Sequence, residues 1–177
     1  MSSGLPGDSH EANTSNRVEA PLRRSGEVDQ ETLAKIAHGL RIRRDAIKAS
    51  NWCDNGPGWV AVMLANRTEV LALKPDYPAL LGLALGVVGP WMPEDGTEAQ
   101  FEVRAFIPSR ATEDPVTGSL NAGLAQWLID AGLAPRAYIA SQGTALGRKG
   151  RVFVERSGDA TWIGGKTVTC VEGEVRI

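Results

Sequence analysis

The pattern of apolar and polar residues divides the chain into a polar N-terminal segment and a longer region of short periodic elements. Leu5 is the only large aliphatic residue in residues 1–16, so this segment buries too little apolar area to offset the entropy of ordering. We expect it to be a disordered tail. Residues 17–177 are predicted to form one domain, because a chain of 177 residues with 42% hydrophobic residues is long enough for one sizeable core.

Runs rich in β-branched and aromatic residues predict that most of this domain is built from short strands. The predicted strands are residues 17–22, 46–50, 59–64, 100–107, 137–141, 151–155 and 160–163, followed by a hairpin over 167–177 that turns at Glu172–Gly173. In the 100–107 strand, apolar residues alternate with Gln100, Glu102 and Arg104. This alternation predicts a half-buried strand with one solvent-exposed face.

Two segments have helical spacing, and they differ in how much of their surface is apolar. Residues 29–38 carry one apolar stripe that ends before Gly39, with Asp29 as a start signal. Residues 119–131 are apolar nearly all round, and Asp130 is their only charge. Residues 76–86 are also apolar and fit either a short helix or a buried strand, of which we favour the helix.

A helix that is apolar on nearly every side must be covered on nearly every side, and the many predicted strands supply the cover. The sequence therefore predicts an α+β fold in which a strongly bent, barrel-like mixed sheet wraps around a central helix at residues 119–131.

Charge and cysteine content remove several classes of function. The 19 basic and 21 acidic residues give a net charge of -2, which does not predict binding to nucleic acid or to an anionic membrane. Cys53 and Cys170 belong to no Cys/His cluster, so no metal site or disulfide is predicted, and both are expected to be reduced and half-buried. No apolar run reaches the roughly 18 residues of a membrane span, and the N-terminus lacks a signal-peptide pattern. A cytoplasmic location is expected.

The segment Glu113–Ser119 is the strongest candidate for a ligand site, because an extended stretch turns there into the central helix. The first amides of a helix have no internal partner, and the helix dipole adds a partial positive charge. The amides of Gly118 and Ser119 are therefore predicted to hold a substrate carboxylate, and the hydroxyl of Thr117 is predicted to add a donor. Asp114 could exchange protons or orient a substrate amine. The alternative is that Asp114 or Thr117 merely caps the helix.

The sequence EDPVTGSLNAGLA at residues 113–125 resembles the signature of the phenazine-biosynthesis (PhzF-like) isomerase family, which is similar in fold to diaminopimelate epimerase and proline racemase. Residues 17–40, 54–64 and 142–155 (QGTALGRKGRVFVE) resemble further family segments in the same order. The resemblance covers about residues 17–177 and implies two similar lobes, of which this chain is similar to the second. It implies a cofactor-independent proton-transfer site in the cleft between the lobes.

The resemblance implies that Asp114 assists substrate binding and that Gly118 and Ser119 contact the substrate carboxylate. Asp114 is the candidate assisting catalytic residue, and Thr117 remains a substrate-binding candidate on the strength of its hydroxyl. Asn55 and Gly56, in an Asn-Gly-Pro turn, are expected to line the same cleft. The family's essential Glu and its Gly-His pair belong to the first lobe, for which this chain shows no counterpart. No metal or cofactor is expected.

Two functions are consistent with these residues. The first is a small-carboxylate isomerase or epimerase lobe that is active when a separate first-lobe chain or a second copy completes the cleft. The second is a non-catalytic carboxylate-binding module or a decayed fragment of such an enzyme. In either case a lone lobe is expected to expose the apolar face that a partner would cover, so a homodimer is also predicted.

Overall fold

The computed structural model of this chain describes residues 21–166 and 173–174. These residues contain three α-helices: α1 (Gln30–Leu40), α2 (Arg67–Ala72) and α3 (Gly118–Asp130). They also contain nine strands: β1 (Arg24–Gly26), β2 (Ala49–Asp54), β3 (Trp59–Met63), β4 (Ala84–Pro90), β5 (Phe101–Ile107), β6 (Thr112–Asp114), β7 (Ala137–Gln142), β8 (Gly150–Ser157) and β9 (Ala160–Gly164).

The nine strands form one mixed sheet in the order β1-β2-β3-β4-β5-β7-β8-β9, with β6 paired to β5 outside this path. The β3–β4 and β5–β7 pairs are parallel, and the other pairs are antiparallel. The sheet curls around α3. This helix contacts β2 and β3 toward one edge of the sheet and β8 and β9 at the other edge. The predicted α+β fold, a bent mixed sheet around a central helix, is therefore confirmed.

Strand β5 has two partners on the same side, and this arrangement builds the candidate site. Its first half pairs with β7, so that Val103 lies opposite Gln142. Its second half pairs with β6, so that Ala105 lies opposite Asp114. The end of β7 and the end of β6 are consequently only two positions apart along β5, and the loop that leads into α3 starts between them.

The inner face of the sheet and α3 form the larger apolar cluster. Eight of the residues in α3 are buried, including Leu120, Leu124 and Leu128 at about 1% exposure or less. The helix approaches the sheet closely where Gly123 faces β2, since a Cβ built on Gly123 would lie 2.4 Å from the carbonyl oxygen of Cys53. Burial on nearly all sides explains why this helix needs almost no charged residues.

Helices α1 and α2 cover the outer face of the sheet along β2–β5, whereas the outer face of β8 is exposed at Phe153. Val60, Val62 and Leu85 pack there against Leu33 and Ile36 of α1 in a second buried cluster. The prediction of one solvent-exposed face for β5 is wrong, because its outward-pointing polar side chains are buried as well: Glu102 is 0% exposed and Arg104 is 6% exposed. Periodicity reports alternation of polarity, and it cannot reveal that α2 covers Arg104 or that Trp91, Ser141 and Thr144 surround Glu102.

The structure corrects several predicted boundaries. Residues 76–86 do not form a helix: Pro78–Leu80 make one 3-10 turn, and the chain then enters β4 at Ala84. The end of this apolar run belongs to β4, a strand that is buried on both faces. The strand predicted at 46–50 begins at Ala49, and α2 was not predicted. Helix α1 was predicted to end before Gly39, but it runs to Leu40, and its C-cap Arg41 adopts the left-handed conformation.

Some predictions fall outside the described residues. These are the tail at 1–16, most of the strand at 17–22, Cys170 and most of the hairpin at 167–177. Residues 21 and 22 are described and are not in a strand, which begins at Arg24.

Candidate functional site

The candidate site is the loop Pro115–Thr117 between β6 and α3, together with the first turn of α3. The chain leaves the sheet at Asp114 in extended conformation and enters the helix at Gly118, with Thr117 at the N-cap position. Pro115 and Val116 are exposed, whereas Thr117 is 6% exposed. The loop therefore presents its first residues and the helix start to solvent, and it anchors itself on Thr117.

The two adjacent acids of the motif have different environments because neighbouring residues of a strand point to opposite faces. Glu113 points to the outer face and accepts two hydrogen bonds from the guanidinium of Arg104, at 2.9 and 2.6 Å. Arg104 also donates to the carbonyl oxygens of Val70 and Leu73, at 3.2 and 2.9 Å. Glu113 is thus part of a buried ion pair that ties β6 and β5 to the end of α2.

Asp114 points to the other side, toward the start of α3. Its Oδ2 accepts a hydrogen bond of 2.8 Å from the hydroxyl of Thr117, and its side chain is only partly buried. Within the described residues, Oδ1 of Asp114 has no hydrogen-bond partner. Of the two acids, Asp114 is therefore the one with an oxygen available to a ligand.

The first turn of α3 is open. No side chain in the described part of the chain caps this helix, although Thr117 occupies the N-cap position. The hydroxyl of Thr117 and the carboxylate of Asp114 bond to each other, so the helix-cap alternative does not describe either side chain. A Cβ built on Gly118 would have no non-neighbouring described atom within 4 Å. The start of α3 is therefore uncapped, with open space beside Gly118, and the first amides of such a helix can bind an anionic group.

Ser119 lies beside this opening and is fixed from β3 and the turn before it. The indole Nε1 of Trp59 donates to its Oγ at 3.0 Å, and Nδ2 of Asn55 donates to its carbonyl oxygen at 2.7 Å. The Oδ1 atom of Asn55 is buried and has no hydrogen-bond partner among the described residues. The structure thus brings Asn55 and Ser119 together, as the predicted cleft requires.

Gly56 belongs to the same turn, but its amide is already used. Oδ1 of Asp54 accepts hydrogen bonds from the amides of Gly56 and Gly58, both at 2.7 Å. These two bonds are the main reason that the pKa of Asp54 is lowered. Gly56 has a φ of 142°, which L side chains rarely adopt, so glycine is required for the shape of the turn. A contact between Gly56 and a ligand stays a prediction.

Thr117 also differs from the expectation, because its donors are used inside the protein. Its hydroxyl donates to Asp114, and its amide donates to Oε1 of Gln142 at 3.1 Å. Gln142 is 0% exposed, and Asn121 donates to the same Oε1 atom at 2.8 Å. Direct binding of a ligand by the Thr117 hydroxyl is therefore still a prediction, and the observed role of the side chain is to hold the loop.

Gln142 and Asn121 were not identified from the sequence as site residues. Gln142 stands first in the segment QGTALGRKGRVFVE that carried part of the resemblance, and that position was the available signal. Gly143 after it has a φ of 87°, and a Cβ there would lie 2.7 Å from the carbonyl oxygen of Pro115. The Gln-Gly pair therefore packs directly against the candidate loop, which spacing along the sequence does not reveal.

Other chemistry-bearing groups lie away from this opening. Burial raises the pKa of the Cys53 thiol to about 12 and also raises the pKa of Glu102 on the outer face. Cys53 is 0% exposed, so it is more deeply buried than expected. In residues 21–166 and 173–174, no group of three or more His, Cys, Asp or Glu side chains is placed to hold a metal ion. None of the described helices is long and apolar enough to cross a membrane.

Comparison with known proteins gives one consistent family. Residues 5–173 match the family described as phenazine biosynthesis-like protein (PhzC-PhzF). The chain is 30% identical over 131 residues to "Antisense-enhancing sequence 1" of Schizosaccharomyces pombe, covering 68% of this chain and 44% of that protein. It is 29% identical over 140 residues to "Uncharacterized isomerase YddE" of Escherichia coli K12, covering 72% of this chain and 47% of that protein.

Solved structures agree on the fold. A PhzC/PhzF protein from Clostridium difficile superposes with a TM-score of 0.62 at 22% identity, covering 91% of this chain and 57% of that one. A PhzF-family protein from Bacillus anthracis superposes with a TM-score of 0.66 at 16% identity, covering 83% and 55% respectively. The chain therefore spans about half the length of the relatives that it matches.

Proposed function

This chain belongs to the phenazine biosynthesis-like (PhzC-PhzF) family, and from that premise we propose that it takes part in cofactor-independent proton transfer on a small carboxylate substrate. In this proposal the amides of Gly118 and Ser119 bind the substrate carboxylate, and Asp114 assists through its Oδ1 atom. Asn55 and Gly56 shape the adjoining wall, and Thr117 holds the loop. The name of the Escherichia coli relative, an uncharacterized isomerase, is consistent with this class of reaction.

The observation that carries the proposal is the open start of α3. A buried helix with no side-chain cap and with space at Gly118 leaves partially positive amides facing outward. Trp59 and Asn55 fix Ser119 in place, so β3 and the turn before it hold one side of the opening. An anion that binds there would also lie close to Asp114, and proton transfer needs such a group within hydrogen-bond reach of the substrate.

The proposal includes a second polypeptide surface that closes the cleft, supplied by a first-lobe chain or by a second copy of this one. Two exposed aliphatic side chains support it: Val116 in the candidate loop is 46% exposed, and Leu146 in the loop that packs against it is 43% exposed. A partner surface that covered these two side chains would remove their apolar area from water. Sedimentation velocity at rising concentration should show self-association, and a monomer at every concentration would contradict the homodimer.

Solvent isotope exchange tests the reaction. The protein is incubated in deuterium oxide with acyclic and cyclic small carboxylates that carry a C–H next to the carboxylate, including L-alanine and L-proline, with and without a first-lobe polypeptide encoded beside it. Mass spectrometry should show deuterium uptake at a carbon next to the carboxylate in at least one substrate. Asp114→Asn should lower the rate, since general acid or base assistance contributes about a hundredfold or more. If neither condition gives uptake, proton transfer is excluded for this panel.

The non-catalytic alternative makes a different prediction for the same site. A binding module would show chemical-shift changes at the Gly118 and Ser119 amides on addition of a carboxylate, without isotope exchange. Gly118→Val should abolish those changes, because the new side chain would fill the space beside the amides. Binding without exchange would therefore favour the alternative, and exchange would exclude it.

A further inference from the structure

Gln142 is the most completely bonded side chain near the candidate site, although it does not face the opening. It is 0% exposed at the end of β7 and makes four hydrogen bonds. Its Oε1 accepts from the amide of Thr117 and from Nδ2 of Asn121, at 3.1 and 2.8 Å. Its Nε2 donates to the carbonyl oxygen of Asp114 and to the hydroxyl oxygen of Thr117, at 2.8 and 3.0 Å.

These bonds fix the orientation of the Gln142 amide. Its oxygen faces two donors, and its nitrogen faces a carbonyl oxygen that can only accept. Rotating the amide by half a turn would therefore place donor against donor and acceptor against acceptor. Because the amide is fixed, Nε2 always offers a proton to the hydroxyl oxygen of Thr117.

The fixed amide in turn sets the direction of the Thr117 hydroxyl. A hydroxyl has one proton to donate, and the oxygen of Thr117 already accepts from Gln142. The proton of Thr117 is therefore directed to Oδ2 of Asp114, 2.8 Å away. Gln142 is thus linked to Asp114 in two ways. It donates directly to the backbone carbonyl oxygen of Asp114, and it reaches the carboxylate of Asp114 through the hydroxyl of Thr117.

We propose that Gln142 is the positioning residue of this site: through Thr117 it fixes Oδ2 of Asp114, and so presents Oδ1 toward a carboxylate-bearing ligand at Gly118 and Ser119. This inference rests on the proposed function for the identity of the ligand. It assigns a role to a buried residue that does not touch the ligand. A neutral amide suits this role because it donates and accepts at once without placing a charge beside Asp114.

The substitution Gln142→Glu tests this role. At pH 8 the new carboxylate can accept hydrogen bonds but cannot donate them, so the Thr117 hydroxyl would turn away from Asp114. A buried carboxyl group tends to hold its proton, and a protonated one again has a donor. The variant should therefore lose the alignment at pH 8 and regain part of it at pH 5.5, which a purely structural defect would not do.

Gln100→Glu is the matched control. Oε1 of Gln100 accepts from the amide of Ile139 at 2.7 Å, and its Nε2 donates to the carbonyl oxygen of Glu98 at 2.9 Å. It therefore has the same donor and acceptor chemistry toward backbone groups, at the other end of β7. This substitution introduces the same charge and should leave the site unchanged at both pH values.

Two measurements are made on wild type and on both variants by nuclear magnetic resonance. The first is the Kd of L-alanine from the Gly118 and Ser119 amide shifts, because its ammonium group can donate a hydrogen bond to Oδ1 of Asp114. Gln142→Glu should raise it about tenfold at pH 8, the equivalent of one hydrogen bond, with partial recovery at pH 5.5. The second is the carboxyl 13C shift of Asp114 without ligand, which should change in Gln142→Glu at pH 8 and stay constant in Gln100→Glu.

The two measurements separate the inference from the proposed function. If L-alanine leaves the wild-type amides unchanged, the proposed carboxylate site fails, while the Asp114 shift still decides the positioning role. An unchanged Asp114 shift in Gln142→Glu would overturn that role. Should this variant not fold, Thr117→Val serves instead, because it removes the linking hydroxyl and keeps the other three bonds of Gln142. It should give the same change at Asp114, and no change there would overturn the proposal.

Discussion

Helices α1 and α3 begin in opposite ways, although both follow an Asp or Thr of the kind that commonly caps helices. At α1, Oδ1 of Asp29 accepts from the amide of Thr32 at 2.8 Å, and Oδ2 accepts from the Thr32 hydroxyl at the same distance. At α3, Thr117 stands at the N-cap without capping, and its hydroxyl is bonded to Asp114. The start of α1 is therefore capped by the side chain of Asp29, whereas the start of α3 has no side-chain cap among the described residues.

The difference shows how position in the fold decides the role of the same residue types. Helix α1 lies on the outside of the sheet and needs its cap, because one face is solvated and its ends would fray. Helix α3 is buried on nearly all sides, so packing holds it and a cap is not required. A start that packing stabilises can be left free to bind an anion.

The largest expected difference between the two helices is in the free energy of unfolding after a glycine is replaced by alanine. Each helix has one glycine that packs closely against a neighbouring element. A Cβ on Gly123 of α3 would lie 2.4 Å from the backbone oxygen of Cys53, which cannot move without displacing β2. Gly123→Ala should therefore lower the free energy of unfolding by about 3 kcal/mol. In α1, a Cβ on Gly39 would meet the side chain of Leu80 at 2.4 Å.

Gly39→Ala is the comparison: its clash is with the buried side chain of Leu80 rather than with backbone, and alanine gains about 1 kcal/mol of helix propensity over glycine, so a smaller loss is expected. Urea denaturation followed by circular dichroism gives both values. Equal losses in the two variants would contradict the view that α3 depends more on close packing than α1 does.

The next effect concerns the two aspartates. Asp29→Ala should shift the urea midpoint to lower concentration, because it removes the acceptor for two Thr32 donors. Asp114→Ala should lower the free energy of unfolding by about 1 kcal/mol, since Asp114 caps no helix but accepts the hydrogen bond of the buried Thr117 hydroxyl. The same denaturation experiment measures both, and no loss in Asp114→Ala would mean that this bond does not hold the loop.

The pH dependence of the α1 cap follows from the sign of its pKa shift. The hydrogen bond from the Thr32 amide, more than any other cause, lowers the pKa of Asp29 below its ordinary value of 3.8. A lowered folded-state pKa stabilises the protein above the unfolded-state value, and this stabilisation is lost as pH falls through the folded value. The difference in urea midpoint between wild type and Asp29→Ala should therefore be constant from pH 5 to 7 and shrink below pH 4. A constant difference at every pH would contradict the cap.

The sequence predicted the α1 cap and the central helix, because capping and helical periodicity are local properties. Asp29 stands one residue before α1, and residues 119–131 match α3 to within one position at each end. The role of Gln142 was out of reach, since it depends on β6 and β7 pairing with the same side of β5. The burial of Glu102 was missed for a similar reason, because only the tertiary fold shows that the outer face is covered.

The candidate site could be predicted from the sequence where its residues lie in short continuous segments. Gly118, Ser119 and Asp114 were named from one contiguous motif, and the structure places them together around the start of α3. Asn55 was named from a turn more than 60 residues earlier in the chain, and its bond of 2.7 Å to Ser119 joins the two segments. Whether these residues bind substrate stays a prediction that the binding and exchange experiments decide.

The smallest expected effect concerns Cys53, which lies where α3 packs on β2. We expect its thiol to react very slowly with a disulfide reagent in the folded protein. Burial raises the pKa of this thiol to about 12, from an ordinary value of 9.0, so the reactive thiolate is scarce in the folded protein. With Cys170→Ser as background, a disulfide reagent should label almost no Cys53 at pH 8 and should label it fully in urea. Because the folded-state pKa is raised, the thiol favours folding below pH 9, and this contribution declines as pH rises above 9.

Adding Gly123→Ala to the same background should speed labelling, because that substitution forces α3 away from the backbone of Cys53. If labelling is equally slow in that variant, the contact between α3 and β2 is not what protects the thiol, and the close packing that distinguishes α3 from α1 must be sought elsewhere along the helix.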